Sequence, residues 1–82
     1  MTIKNFADLG DAHNNLKVTI TRNTDEETLK KTNKKFEDVK TFENMMDLFL
    51  QSVENPEMVE INEMEIEWFD IRKDVIMIKV YR

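Results

Sequence analysis

Residues 41–71 read TFENMMDLFLQSVENPEMVEINEMEIEWFDI and carry two hydrophobic patterns in succession. In the first half, apolar residues recur three and four positions apart, which is typical of an amphipathic helix. In the second half, apolar residues alternate with glutamates, which is typical of a strand with one face in water. This stretch therefore predicts a helix followed by a strand, and the rest of the fold is built around that pair.

The predicted helix begins near Val39 and ends before Pro56, because the residue preceding a proline is pushed out of helical geometry. One side of it is apolar and the opposite side is polar, so we expect it to be the main packing helix. The residues of the apolar side are Val39, Phe42, Met46, Phe49, Leu50 and Val53.

The strand is predicted over residues 58–69, with a change of phase inside it. Val59 and Ile61 have one parity, whereas Met64, Ile66 and Trp68 have the other. Since side chains alternate strictly along a strand, we expect a bulge or kink near residues 62–63.

A returning strand is predicted over residues 75–81, after a turn at residues 70–74. Both of its parities are apolar, which favours a central position in the sheet. An earlier strand is predicted over residues 16–22, where apolar and polar residues alternate cleanly.

Two further helices are indicated by their capping residues. Thr2 is placed to cap a short N-terminal helix, which Gly10 is placed to end. The run Thr24-Asp25-Glu26-Glu27 matches a capping box in which Thr24 is the cap. It predicts an exposed helix over residues 25–35, and the alternative for that segment is a strand.

These elements predict an α+β fold in two layers. Helices lie on one face of a three-stranded, mainly antiparallel sheet, with the last strand between the first and the third. The first strand is expected to run antiparallel to the last. Trp68 is expected in the core layer together with the apolar residues of the main helix.

The composition indicates one domain over residues 1–82. The absence of cysteine excludes disulfides and cysteine-ligated metal sites, and it fits a reducing compartment. No apolar run approaches the roughly 20 residues of a membrane span. The start of the chain carries Asp8 where a signal peptide needs a long apolar region, so we expect a cytoplasmic protein.

Catalytic motifs are absent from the sequence. The single histidine, His13, lies in a polar connector, where we expect a surface position, and the single serine, Ser52, lies in the predicted main helix. One glycine is too few for a glycine-rich phosphate loop. We therefore predict neither enzymatic activity nor a cofactor or metal site.

The net charge of −5 is unevenly distributed. Residues 41–71 hold nine acidic residues and no basic one, whereas residues 1–40 sum to +1 and residues 72–82 to +3. A bare acidic surface repels nucleic acid and anionic lipid and attracts basic protein surfaces. We expect a partner protein with a basic surface, and no direct binding to nucleic acid or membrane. The alternative interpretation is that the acidity serves solubility alone.

One face of the predicted sheet is left uncovered. Along it, Glu63, Glu65 and Glu67 are expected in a row about 6.8 Å apart, close to the separation of phosphates along a nucleic-acid strand. An apolar strip beside them makes this face a candidate binding surface. The predicted partner-binding residues are Glu60, Glu63, Glu65, Glu67, Asp70, Met77 and Tyr81. The alternative is a wet face whose glutamates pair with lysines on neighbouring strands.

In size, charge and single-domain build, the chain resembles small acidic inhibitors encoded by phages. They include anti-CRISPR proteins that occupy the nucleic-acid site of a host nuclease. The resemblance covers no aligned residues, and it implies a non-enzymatic inhibitor that mimics nucleic acid. Two alternatives remain: a structural or assembly subunit that homodimerises through its open sheet face, and a nucleic-acid binder that uses the lysines of residues 30–40.

Overall fold

The computed structural model describes residues 1–9 and 15–81, so the predictions for Gly10 and His13 lie outside the described residues. The elements in chain order are α1 (Ile3–Asp8), β1 (Lys17–Asn23), α2 (Glu26–Thr32), β2 (Phe36–Phe42), α3 (Met45–Glu54), α4 (Met58–Asn62), β3 (Ile66–Arg72) and β4 (Val75–Val80). They confirm the α+β class.

The sheet has four strands in the order β2-β1-β4-β3. β1 runs parallel to β4, while β1–β2 and β3–β4 are antiparallel pairs. The prediction of three strands with an antiparallel first and last pair is therefore wrong. The cause is β2, since one additional strand reverses the direction of the chain before it crosses to the far edge of the sheet. The central position of the last strand, between β1 and β3, is confirmed.

The strand β2 occupies the segment in which the main helix was predicted to begin. Ile20 of β1 pairs with Lys40 and Thr21 pairs with Asp38, which leaves Val39 as an extra, bulged residue. The bulge allows Val39 and Phe42 to pack on the same side of the sheet although they are three residues apart. A spacing of three, read as helical in the sequence, is here produced by a bulged strand.

The helix α3 begins only at Met45, and its buried side is rotated from the predicted one. Met45, Leu48 and Ser52 are buried. Met46 and Val53, which were predicted to be in the core, are 43% and 60% exposed, and Leu50, predicted on the same apolar side, is 47% exposed. The prediction extended the spacing of the apolar β2 residues into the helix. The turn between β2 and α3 interrupts that spacing, so a different side of α3 is buried.

Asn44 caps α3, because its side chain accepts a hydrogen bond from the Asp47 amide at 2.8 Å. Asn44→Ala is expected to lower the free energy of unfolding by about 1 kcal/mol, the usual loss when an N-cap is removed. Urea denaturation measures this loss. Were the helix to begin at Val39, Asn44 would lie in its second turn, and alanine there would leave stability unchanged or raise it.

The segment predicted as the start of the third strand forms α4 instead. Met58 is fully buried there, while the neighbouring Val59 is 62% exposed. The side-chain amide of Asn62 donates a hydrogen bond to the backbone carbonyl oxygen of Ser52 at 2.9 Å, which connects α4 to α3. The change of parity that suggested a bulge near residues 62–63 is thus a change from helix to strand.

The bulge of the third strand lies four residues later than 62–63. Ile66 pairs with Val80 and Trp68 pairs with Lys79, which leaves Glu67 as the extra residue. After the bulge, Trp68 points away from the helices, so its predicted place in the core layer is wrong. β3 then turns into β4 through Lys73 and Asp74, a tighter turn than the predicted residues 70–74.

The two N-terminal helices agree with their capping signals in part. Thr2 caps α1 in a reciprocal capping box with Asn5, as a cap at Thr2 predicts. The helix predicted over residues 25–35 is present as the shorter α2, but Asp25 caps it and not Thr24.

A single core lies between the sheet and the helices α1, α3 and α4. Its buried apolar residues are Ile3, Ala7, Val18, Ile20, Phe42, Met45, Leu48, Met58, Ile76, Ile78 and Val80. The three helices cover one face of the sheet and leave the other face, called the open face below, to carry the remaining strand side chains.

Candidate protein-binding surfaces

The strand register defines the open face. Thr21 pairs with Asp38 on one side and with Lys79 on the other, and Lys79 pairs with Trp68. Paired residues in neighbouring strands share a face, so this row crosses the whole sheet. The strand residues of the open face are Lys17, Thr19, Thr21, Asn23, Phe36, Asp38, Thr41, Glu67, Trp68, Asp70, Arg72, Val75, Met77 and Lys79.

Five of the seven predicted partner-binding residues come together on the open face. Glu67, Asp70 and Met77 lie in its strands. Glu65 and Tyr81 lie at one end, where the Tyr81 amide donates to the Glu65 carbonyl oxygen at 3.0 Å. The other two, Glu60 in α4 and Glu63 immediately after it, belong to the helical layer.

Three acids of the open face, Glu65, Glu67 and Asp70, are paired with bases, whereas Asp38 forms no ion pair with a described residue. The N-terminal amino group lies 3.1 Å from Glu65, and the side chain of Lys79 lies 3.4 Å from Glu67. Arg72 lies 3.2 Å from Asp70. The predicted row of three free glutamates is therefore wrong, because Glu63 is outside the strand and Glu65 and Glu67 are paired. Cross-strand pairing with a lysine, the alternative interpretation, holds for Glu67.

Lys79 lies at the centre of the open face and is only 8% exposed. Its ammonium group is 5.0 Å from the centroid of the Phe36 ring, in addition to its ion pair with Glu67. A cation over an aromatic face and beside a carboxylate keeps favourable electrostatic contacts after it leaves water. Lys79 thus connects the edge strand β2, which carries Phe36, to the edge strand β3.

A cavity of about 290 Å³ opens on this face beside Phe36 and Trp68. Met77 and Thr21 from the two central strands also line it, with Asp38 and Arg72. Sequence analysis missed Phe36 and Trp68, since no strand was predicted at Phe36 and Trp68 was assigned to the core. Locating the β3 bulge at Glu67 would have placed Trp68 on this face.

A second surface lies on the helical layer, and its centre is apolar. Met46, Leu50 and Val53 recur at helical spacing along α3 and are 43%, 47% and 60% exposed. The acidic residues of α3, α4 and their flanks are Glu43, Asp47, Glu54, Glu57, Glu60 and Glu63. Among residues 1–9 and 15–81, none of these six carboxylates forms an ion pair. We call the apolar stripe and these acids together the helical acidic surface.

Hydrogen bonds along α3 order one border of the apolar stripe. The side-chain amide of Gln51 donates a hydrogen bond to the Asp47 carboxylate at 3.1 Å. The side-chain amide of Asn55 donates to the side-chain oxygen of Gln51 at 3.2 Å. A shallow hollow of about 460 Å³ lies beside them, lined by Leu50, Glu54 and Pro56 as well. An apolar floor edged by carboxylates suits a lysine or arginine, whose stem is apolar and whose head is charged.

Metal-binding clusters and membrane-spanning helices are absent from the described parts of the chain. There, no group of three or more acidic or histidine side chains is arranged to hold a metal ion. Nor does any of the described helices have the length and apolar character needed to cross a membrane. No protein-family model matches the chain, and no significant similarity to a curated protein or to a solved structure was found.

Proposed function

We propose that this chain is a non-enzymatic binding module whose helical acidic surface docks against a basic surface of a partner protein. The observation that carries the proposal is the exposed apolar stripe of α3, with Asp47 and Glu54 beside it, in a helical layer whose six carboxylates have no ion-pair partner in the described chain. An apolar centre with a charged rim is the usual anatomy of a protein interface.

The charge of this surface selects the chemistry of the partner. Unpaired carboxylates attract lysine and arginine, steer their approach and repel acidic surfaces. Proteins that handle nucleic acid expose such basic surfaces to bind phosphates. The finer proposal is that the module occupies the nucleic-acid-binding surface of such an enzyme and inhibits it, in the manner of phage-encoded anti-defence inhibitors.

The helical layer supports this function better than the open face does. On the open face, Glu65, Glu67 and Asp70 already have basic partners within 3.4 Å. A basic partner would have to displace those partners before it could pair with the acids. On α3 and α4, the carboxylates have no basic partner among the described residues, so a basic partner protein would displace none.

An arginine-rich amphipathic peptide with one leucine face tests the proposal directly. Leu50→Ser is expected to weaken its binding about tenfold, because it replaces the centre of the apolar stripe with a hydroxyl. Isothermal titration calorimetry measures the affinity. Ile71→Ser is the control, since Ile71 is 56% exposed on the edge strand β3 and lies outside the stripe. Equal losses in both variants, or none in Leu50→Ser, would overturn the assignment.

The finer proposal needs the natural partner, and two baits identify it. The parent protein and the double variant Glu54→Gln, Glu57→Gln are used side by side to capture host proteins. A partner that handles nucleic acid should bind the parent only and should be released by a short DNA duplex. A specific partner that DNA does not release would limit the proposal to a binding module without nucleic-acid mimicry.

A further inference from the structure

We infer that the open face is the interface at which two copies of this chain associate. This goes beyond the proposed function, because it uses the other side of the molecule and a different partner. The charge balance, the residue types and the surface shape of the open face support this inference.

Charge selects this face for self-association. The chain carries a net charge of −5, so two copies repel each other at most orientations. On the open face, Lys79 offsets Glu67 and Arg72 offsets Asp70, each within 3.4 Å. The other charged residues of its strands are one base, Lys17, and one acid, Asp38, so the strand residues of this face carry no net charge and two copies can meet there without net repulsion. The helical acidic surface is disfavoured as the contact between copies, because no basic residue offsets its carboxylates.

The residue types on this face are those that protein interfaces favour. Trp68 is 39% exposed, Phe36 52% and Tyr81 58%. Met77 lies between them, half-buried, in the central strand β4. Aromatic residues and methionine are enriched at interfaces relative to the rest of a protein surface, and tryptophan and tyrosine are among the residues that contribute most binding energy there.

The face also has a projection and a recess. Tyr81 directly follows β4 and is 58% exposed, and the cavity of about 290 Å³ lies beside Phe36 and Trp68. In a two-fold dimer each copy presents the same patch, so a projection from one enters a recess in the other twice. We infer that Tyr81 of each copy fills the aromatic cavity of its partner.

The area of the open face determines how tightly two copies are expected to bind each other. Three strands of seven residues and one of six cover roughly 20 Å by 23 Å, or about 450 Å² in projection. Stable dimers bury about 800 Å² or more on each partner, so this contact belongs to the weak class. We expect a dissociation constant of about 10–100 μM, and the experiment must therefore extend to about 1 mM.

Trp68 is the only tryptophan in the chain, so its fluorescence reports on this face without any labelling. Between about 1 μM and about 1 mM protein, its emission should shift to the blue and its quenching by acrylamide should fall, as water leaves the ring. Sedimentation over the same range should show the mass rising from that of the 9.8 kDa monomer towards twice that value. A monomer with constant emission up to about 1 mM would overturn the inference.

A pair of matched substitutions locates the interface. Met77→Lys should weaken the dimer at least tenfold, whereas Met46→Lys, the same change on the stripe of α3, should leave it intact. Since Met77 is half-buried, Tyr81→Ala provides a second variant at an exposed position, and it should weaken the dimer severalfold. Dissociation by Met46→Lys but not by Tyr81→Ala would place the contact on the helices. Loss of the dimer would leave peptide binding at Leu50 unchanged, so the two proposals fail separately.

Discussion

Replacing Leu48 by alanine is expected to lower the free energy of unfolding by about 3–5 kcal/mol, whereas Leu50→Ala is expected to cost less than about 1 kcal/mol. The two residues are two positions apart on α3 and undergo the same chemical change. Leu48 is completely buried and Leu50 is 47% exposed. Only the first substitution removes buried methyl groups and leaves a cavity under the helix.

The effect is large for a domain of 82 residues. Stabilities of small domains are a few kcal/mol, and each kcal/mol moves the melting temperature by about 4–8 °C at this size. Leu48→Ala should therefore melt at least about 12 °C below the parent or be unfolded at room temperature. Circular dichroism at increasing temperature measures both variants under identical conditions.

The comparison also decides between two orientations of α3. The helical pattern of the sequence placed Leu50 on the packing face with Met46 and Phe49, and left Leu48 off it. If Leu50→Ala proved the more destabilising variant, the orientation of α3 described above would be wrong. The exposed stripe, and with it the proposed function, would then fall as well.

The second large effect concerns charge. Replacing Glu54 and Glu57 together by glutamine is expected to weaken binding of the basic peptide tenfold or more at about 0.1 M salt, while folding is retained. Glutamine keeps the shape of glutamate and removes the charge that attracts the peptide. At about 1 M salt, where exposed charges are screened beyond about 3 Å, parent and variant should bind almost equally. Most of the loss should appear as slower association.

A second double variant has the same change in charge on the open face and serves as the control. Glu65→Gln with Glu67→Gln should leave peptide binding within about twofold of the parent. It should lower stability by about 1 kcal/mol, because Lys79, 8% exposed, loses its charged partner. Binding lost in this control and kept in the Glu54, Glu57 variant would move the binding site to the open face.

Several features could be predicted from the sequence because they depend on neighbouring residues. Thr2 caps α1 through an amide three residues away, and the last strand is apolar on both faces wherever the other strands lie. The α+β class follows from the coexistence of a helical and an alternating pattern. The open sheet face could also be predicted, because the predicted helices suffice to cover only one face of the sheet.

Two bulges explain the principal errors in the fold. At Val39 and at Glu67, one extra residue changes which face of the sheet the following side chains take. The first bulge made a strand look helical, and the second moved Trp68 from the core to the open face. A bulge depends on the register with the partner strand, which residues distant in the chain determine.

The amount and sign of the charge over residues 41–71 follow from the amino-acid sequence, whereas the pairing of these charges depends on the three-dimensional fold. Glu67 meets Lys79 because β3 and β4 lie side by side, and Glu65 meets the N-terminal amino group across 64 positions of the chain. Glu54, Glu57 and Glu60 meet no base in the described structure, because the fold brings no Lys, Arg or amino group of the described residues within ion-pair distance of them. An ion pair requires the two charged groups to lie within about 4 Å of each other. The amino-acid composition does not give such distances, so it cannot show which charges are paired.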